Sequence, residues 1–270
     1  MTTGKIVKAI NIDSNKLKLS DTIKTNKYQG KSVYSSYDGN AFRVQLPMLN
    51  LPFGVGKYNS PDTNEIKYSL DLSMKDVDSK IFENFNEIEE KILEYAEKNS
   101  KELFKKQQSK AILKEFYKPF IKHHEDENGE RSGKYPPRFK AKMWTNGNDF
   151  AVDVYDSKKV DGKYVKIPMN IENADSILSP GSKCEAIIQS SGLWVVGKSF
   201  GISWSVIQIK AYTNENTLNG YAFEDDEEQE EEQEVEQHQE EFNEADLELE
   251  EEISISTAVP KRQRRKKEEF

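Results

Sequence analysis

The chain has almost no cysteine. Cys184 stands alone in 270 residues, which excludes an intramolecular disulfide and a cysteine cluster for zinc and suits a reducing compartment. Histidine is nearly as scarce. His123, His124 and His238 have no cysteine or third histidine at ligand spacing, so they read as surface residues and no metal is expected. No Walker loop, G-x-S-x-G elbow or HExxH occurs, and Gly54, Val55 and Gly56 lack the rest of a dinucleotide fingerprint. Asp153 and Asp156 would make a carboxylate pair on a strand, but nothing supports that role and they read as solvated strand ends. The expectation is no catalysis and no cofactor. No run approaches the ~18 apolar residues of a membrane span, and MTTGKIVKAI lacks the apolar region of a signal peptide. A membrane partner and secretion are therefore not expected.

Charge is present in quantity but unevenly placed. The whole chain carries −9, which by itself argues against nucleic acid, because phosphate contacts need Lys and Arg. Residues 224–270 hold 20 acidic and 6 basic side chains, a net of −14. Residues 1–223 hold 33 basic and 28 acidic, a net of +5. The acidity belongs to the tail, and the body is slightly basic. The tail is low in complexity and cannot bury enough apolar surface to offset an ordering entropy of roughly 1–2 kcal/mol per residue, so disorder is expected over 224–270. KRQRRKK then precedes Glu268, Glu269 and Phe270. That cluster reads as a localisation or nucleic-acid patch, or as a counter-charge for the acidic run.

Most of the body has the two-residue period of strands. KSVYSSY and AFRVQLP flank Asp38-Gly39, a tight-turn pair. LPFGVGKYNSPD reads as a loop and IKYSLDLSM as a half-buried strand. From Asp78 the period changes: Ile81, Phe82, Phe85, Ile88, Ile92, Tyr95 and Ala96 predict an amphipathic helix to about residue 106, capped by Asp78 or Ser79. A shorter helix carries Ile112, Leu113, Phe116 and Tyr117, and residues 123–137 read as a polar loop. RFKAKMW and DFAVDVYD are expected to form a hairpin about Asn146-Gly147. VKIPM reads as a strand and ENADSILSPGS as a helical turn. KCEAIIQS, GLWVVGKSF and GISWSVIQIKAY read as three strands divided at Gly192 and Gly201. The fold class expected is mainly β (α+β): a barrel or sandwich elaborated by a helical insertion at about 78–122.

Candidate binding residues come from cations interleaved with aromatics. In RFKAKMW, Arg138, Lys140, Lys142 and Trp144 are two apart and share a strand face, with Phe139, Ala141 and Met143 toward the core. Cations neutralise phosphates while a ring stacks on bases, at about 1–3 kcal/mol per base without regard to sequence. The plainer reading is a solvated face with an incidental tryptophan. Trp194, Lys198 and Phe200 lie where Gly192, Gly197 and Gly201 suggest exposing turns, whereas Trp204 reads as core. Lys57 and Tyr58 could clamp a strand from the glycine-rich loop, and Arg43 completes the set.

SPGSKCEAIIQSSGLWVVGKSFGISWSVIQIKAY resembles the closing strands of the OB-fold single-stranded-DNA-binding proteins of tailed phages and large nucleocytoplasmic DNA viruses. The resemblance rests on Gly181-Ser182, the aromatic-containing strand 193–196, Gly201-Ile202-Ser203 and Gln208-Ile209, with Pro137-Arg138-Phe139-Lys140-Ala141-Lys142 upstream. It is firm over 138–223 and loose over the rest, and it implies an OB-like β-barrel that binds single-stranded DNA. Phage members end in an acidic tail with a terminal aromatic, which contacts replication proteins and competes with DNA. Glu268-Glu269-Phe270 is similar, but KRQRRKK interrupts the pattern.

Together these features predict an OB-like body over 1–223 that binds single-stranded DNA without sequence preference in viral genome replication, recombination or repair. The tail would compete with DNA and recruit viral replication proteins. The expected setting is the host-cell interior, cytoplasm or nucleus, and a homo-oligomer is left open. The rival readings are a viral structural or core protein and a replication adaptor that binds proteins rather than nucleic acid.

Overall fold

Strands form where apolar and polar residues alternate. The computed structural model describes residues 5–61 and 65–212, which lie within the first of two units, residues 1–217. The acidic tail expected at 224–270 and its basic cluster fall outside the described residues. The chain begins with β1 (Ile6–Lys8), β2 (Leu17–Thr25), β3 (Lys31–Tyr37), β4 (Asn40–Ala41) and β5 (Arg43–Gln45). Next come β6 (Leu49–Asn50), β7 (Val55–Asn59) and β8 (Ile66–Ser73). Three helices follow, α1 (Ser79–Lys98), α2 (Ser100–Phe104) and α3 (Lys110–Phe116), then β9 (Ile121–Lys122) and β10 (Arg138–Met143). The last part holds β11 (Thr145–Asn146), β12 (Asp149–Phe150), β13 (Asp153–Val160), β14 (Lys163–Ile167) and the short α4 (Ala174–Ile177). It ends in two 14-residue strands, β15 (Lys183–Val196) and β16 (Ser199–Tyr212). The described residues are mainly strand, with the principal helices grouped between β8 and β10.

The strand pairings return to their start. β6 pairs with β8, β8 with β10, β10 with β16, β16 with β15, and β15 with β5 and β6. Every junction is antiparallel except β10 with β16. Two junctions are single residue pairs, Asn50 with Ser73 and Lys142 with Ser205. Inward positions hold Phe139, Ala141 and Met143 from β10, Leu70 and Leu72 from β8, and Trp204 from β16, all buried.

Helix α1 is held by its apolar stripe. Its carboxylate cap, Asp78, accepts a hydrogen bond from the Lys80 amide at 2.8 Å. Ile81, Phe85, Ile88, Ile92 and Ala96 are buried, and each large one contributes about 1.5–3 kcal/mol of burial. Phe85 enters the core among Phe120, Phe139 and Trp204, with ring centroids 5.4 to 6.4 Å away. The Asn84 amide donates to the Ala9 and Ile10 carbonyls, both at 3.0 Å, and ties the helix to the N-terminal segment. The helical stretch expected to reach residue 106 is two helices that meet at Asn99, and Lys105 in a left-handed conformation ends the second.

Three expectations are corrected. First, RFKAKMW and DFAVDVYD do not make an extended hairpin. Only β11 and β12 pair about Asn146-Gly147, and β13 leaves to run parallel to β16 and antiparallel to β14. Second, LPFGVGKYNSPD is not all loop, because β7 pairs along β8. Third, the closing strands are two, not three. Their turn is at Gly197-Lys198, while Gly192 and Gly201 lie inside strands where other backbones approach. A Cβ at Gly201 would come 2.7 Å from the Lys118 carbonyl oxygen. These glycines mark close contacts, not turns.

Candidate nucleic-acid interface

Residues opposite one another in a ladder share a face, so the pairings fix which side chains project together. Starting from Lys142, one outward row crosses six strands: Arg43, Gln189, Ser205, Lys142, Ser69 and Gly56. No acidic side chain interrupts it. The Arg43 Nε donates to the Gln189 side-chain oxygen at 2.8 Å, and the Lys142 ammonium donates to the Ser203 hydroxyl at 3.2 Å. Burial, and the neighbouring Lys67 charge, lower the Lys142 pKa from its ordinary value. A partly desolvated ammonium beside a second cation is a site that an anion would relieve.

The outward face of β10 follows the alternation read from sequence. Phe139, Ala141 and Met143 are buried while Lys140 and Lys142 are exposed. Trp144 is 56% exposed, with the Lys142 ammonium 5.9 Å from its ring centroid. A tryptophan this open beside a cation leaves a ring face for a planar ligand. Tyr58, also exposed, lies opposite Lys67 in the β7–β8 ladder and therefore on the same side as Ser69 and Lys142.

Asp71, on the outward face of β8, is 3.8 Å from both Arg138 and Lys140. It offsets part of their charge, so the row through Lys142 is the better electrostatic site. Arg138 also rests on the exposed Phe53 ring, 5.1 Å from its centroid. Lys67, Asp71 and Phe53 are thus members of this face that the sequence reading missed. Lys67 and Asp71 were legible in principle, since IKYSLDLSM alternates and they occupy its polar side. Phe53 gave no such signal.

Trp194 lies on the outward face too. It is opposite Gly201, and a Cβ there would come 3.3 Å from the Trp194 ring. Gly201 is two and four positions from Ser203 and Ser205 on β16, which puts Trp194 on the Lys142 side.

Three candidates are not brought to this face. Phe200 is 0% exposed, with its ring against Phe104 and Tyr117 at 5.3 and 5.4 Å, so no face is free for a base. Lys198 turns toward α3, 5.5 Å from the Phe116 ring centroid. Lys57 lies opposite buried Tyr68, on the other side of the β7–β8 ladder from Tyr58, and is 3.4 Å from Asp175. Gly201 suggests an exposing turn in sequence but lies inside β16, which puts Phe200 in the core; Lys198 does lie at the turn, but α3 packs beside it.

Residues 149–225 match a family of unknown function (DUF5871), and no curated protein matches the chain. Among solved structures, the single-stranded DNA-binding protein of bacteriophage Enc34 in complex with ssDNA is similar at 13% identity and a TM-score of 0.39, over 74% of this chain and 100% of that one. The C-terminally truncated Enc34 protein is similar at 13% identity and a TM-score of 0.40, over 73% of this chain and 98% of that one.

Proposed function

We propose that this chain binds single-stranded DNA without sequence preference and without catalysing a reaction. The observation that carries the reading is the outward row Arg43–Gln189–Ser205–Lys142–Ser69, flanked on its own side by the exposed rings of Trp144 and Tyr58. Cations and hydrogen-bond donors track phosphates, and exposed rings stack on bases regardless of their identity. The role that fits is viral genome replication, recombination or repair inside the host cell. We read the closed ring of pairings as an OB-like barrel. Support comes from its five members, counting β5 and β6 as one, and from the helices and β13–β14 that elaborate it.

The tail completes the proposal through charge. We read the tail as an intramolecular competitor for the basic face, supported by a net of −14 over 224–270 against +5 over 1–223. When DNA displaces it, the tail is free to recruit replication proteins.

The test is fluorescence anisotropy of a labelled ~30-nucleotide strand against full-length protein and residues 1–223 across a salt series. The expected result is salt-sensitive binding that tightens when the tail is removed. Weaker binding after truncation overturns the competitor role. No binding by either form at low salt overturns the DNA reading. It would favour the protein-binding alternatives, a structural protein or replication adaptor.

A further inference from the structure

The outward face continues past β15 because β15 contains one extra residue. Up to Gln189 the outward positions of β15 are odd-numbered. Ser191 then stands unpaired between the pairs Ser190–Trp204 and Gly192–Ser203. Beyond this bulge the parity reverses: Leu193 and Val195 are buried and Trp194 projects outward. Gly192, at φ +92°, makes the bulge fit against β3, since a Cβ there would come 2.2 Å from the Val33 carbonyl oxygen.

The result is a second outward row, Lys24–Ser32–Trp194–Gly201, across β2, β3, β15 and β16. Tyr34, two residues from Ser32 on the same side, is 59% exposed. Lys18, opposite Ser36, faces the same way, and the paired positions carry no carboxylate, the one acid of β2 being exposed Asp21 in its unpaired stretch opposite Tyr34. The β2–β3 hairpin is also firmly seated. The Lys31 ammonium donates to the Glu102 carbonyl and, at 2.9 Å, to that of Leu103, and the Ser35 and Ser190 hydroxyls are 2.7 Å apart.

We propose that the outward face of the β2–β3 hairpin, with Lys18, Lys24, Tyr34 and Trp194, is a second single-stranded-DNA patch that receives the strand as it leaves the β10 face. This rests on the reading that the β10 face binds DNA. Charge complementarity and continuity support it. The two rows are joined by Ser203, which pairs with Gly192 and accepts from Lys142. From Ser205 to Gly201 is four residues, roughly 13 Å at strand rise, a gap that one oligonucleotide bridges. A short oligonucleotide fills one patch, whereas a longer one engages both.

The test uses the full chain with oligodeoxythymidylates of about 6 and about 20 nucleotides, comparing wild type, the double variant Lys24→Gln/Tyr34→Ala and the variant Trp144→Ala. Both sites of the double variant are exposed, and thermal unfolding checks that the fold is kept. The expected result is that Lys24→Gln/Tyr34→Ala binds the 20-mer about five- to 150-fold more weakly, the range of one lost stack, while 6-mer binding changes less than about twofold. Trp144→Ala should weaken both. Equal loss on both lengths overturns a separate second patch, and unchanged 20-mer binding overturns the hairpin's involvement altogether. Wild type that binds neither length overturns the underlying DNA reading instead, so the two failures are distinct.

Discussion

The Lys142 ammonium donates to the Ser203 hydroxyl at 3.2 Å, across the junction where β10 runs parallel to β16. These residues are 61 positions apart, and their contact joins the cation-rich face of β10 to the strand on which Trp194 rests. The backbone ladders of β10, β16 and β15 hold the strands together, so this contact sets where the ammonium lies and not whether the face forms.

Replacement of Lys142 by Gln removes one phosphate-pairing cation without changing the shape of the strand. The slope of log affinity against log salt should fall by about one, and affinity should weaken for all sequences alike. Anisotropy titrations at four or five salt concentrations check this, and an unchanged slope places phosphate elsewhere.

Lys142 also predicts a pH effect. Burial and Lys67 hold its pKa below the ordinary 10.5, so a phosphate beside it raises the pKa again. Binding should therefore take up protons at alkaline pH and weaken as pH rises through the pKa of the free protein. Calorimetry at alkaline pH in buffers of different ionisation enthalpy measures the uptake, which should disappear in Lys142→Gln.

Trp144→Ala should weaken single-stranded-DNA binding by about 1–3 kcal/mol through loss of one stacking platform. Stability should change little, because the side chain is open to solvent. Equilibrium binding and urea denaturation on the same variant separate the two effects.

Glu89 gives a stability test independent of DNA. Burial pushes its carboxyl up to about 7 from 4.5. Below pH 4.5 the group is neutral in both folded and unfolded chains and imposes no charge-burial penalty. Between 4.5 and 7 the folded state retains the proton that the unfolded state releases, so this stabilising contribution shrinks and is lost as pH rises through about 7. The effect is up to about 3 kcal/mol. Glu89→Gln should flatten the decline and be the more stable protein at pH 8, as read by urea midpoints across pH.

Gly192→Ala should destabilise the protein by at least about 2 kcal/mol. It combines a left-handed backbone with a clash against the Val33 carbonyl. Hydrogen exchange should show loss of protection first along β3, where it pairs with Leu193, Trp194 and Val195.

Local features were legible in the amino-acid order. Alternation in RFKAKMW assigned Phe139, Ala141 and Met143 inward and the cations outward. The three- and four-residue spacing after Asp78 marked α1, and Asp38-Gly39 marked the β3–β4 turn. A strand or helix pattern needs only neighbouring residues to be recognised. Tertiary structure decided which strands meet and which way side chains face beyond an irregularity. The unpaired Ser191 turns Trp194 outward and Leu193 inward, and it is visible only against the register of β16. Gly192 and Gly201 look like turns in sequence, yet Val33 and Lys118 are the reason no side chain fits there. Asp71 came beside Arg138 and Lys140 because β8 pairs with β10, and Phe200 was lost to the core because Phe104 and Tyr117 cover it. Pairing register is a property of two segments at once, and no period within one of them encodes it.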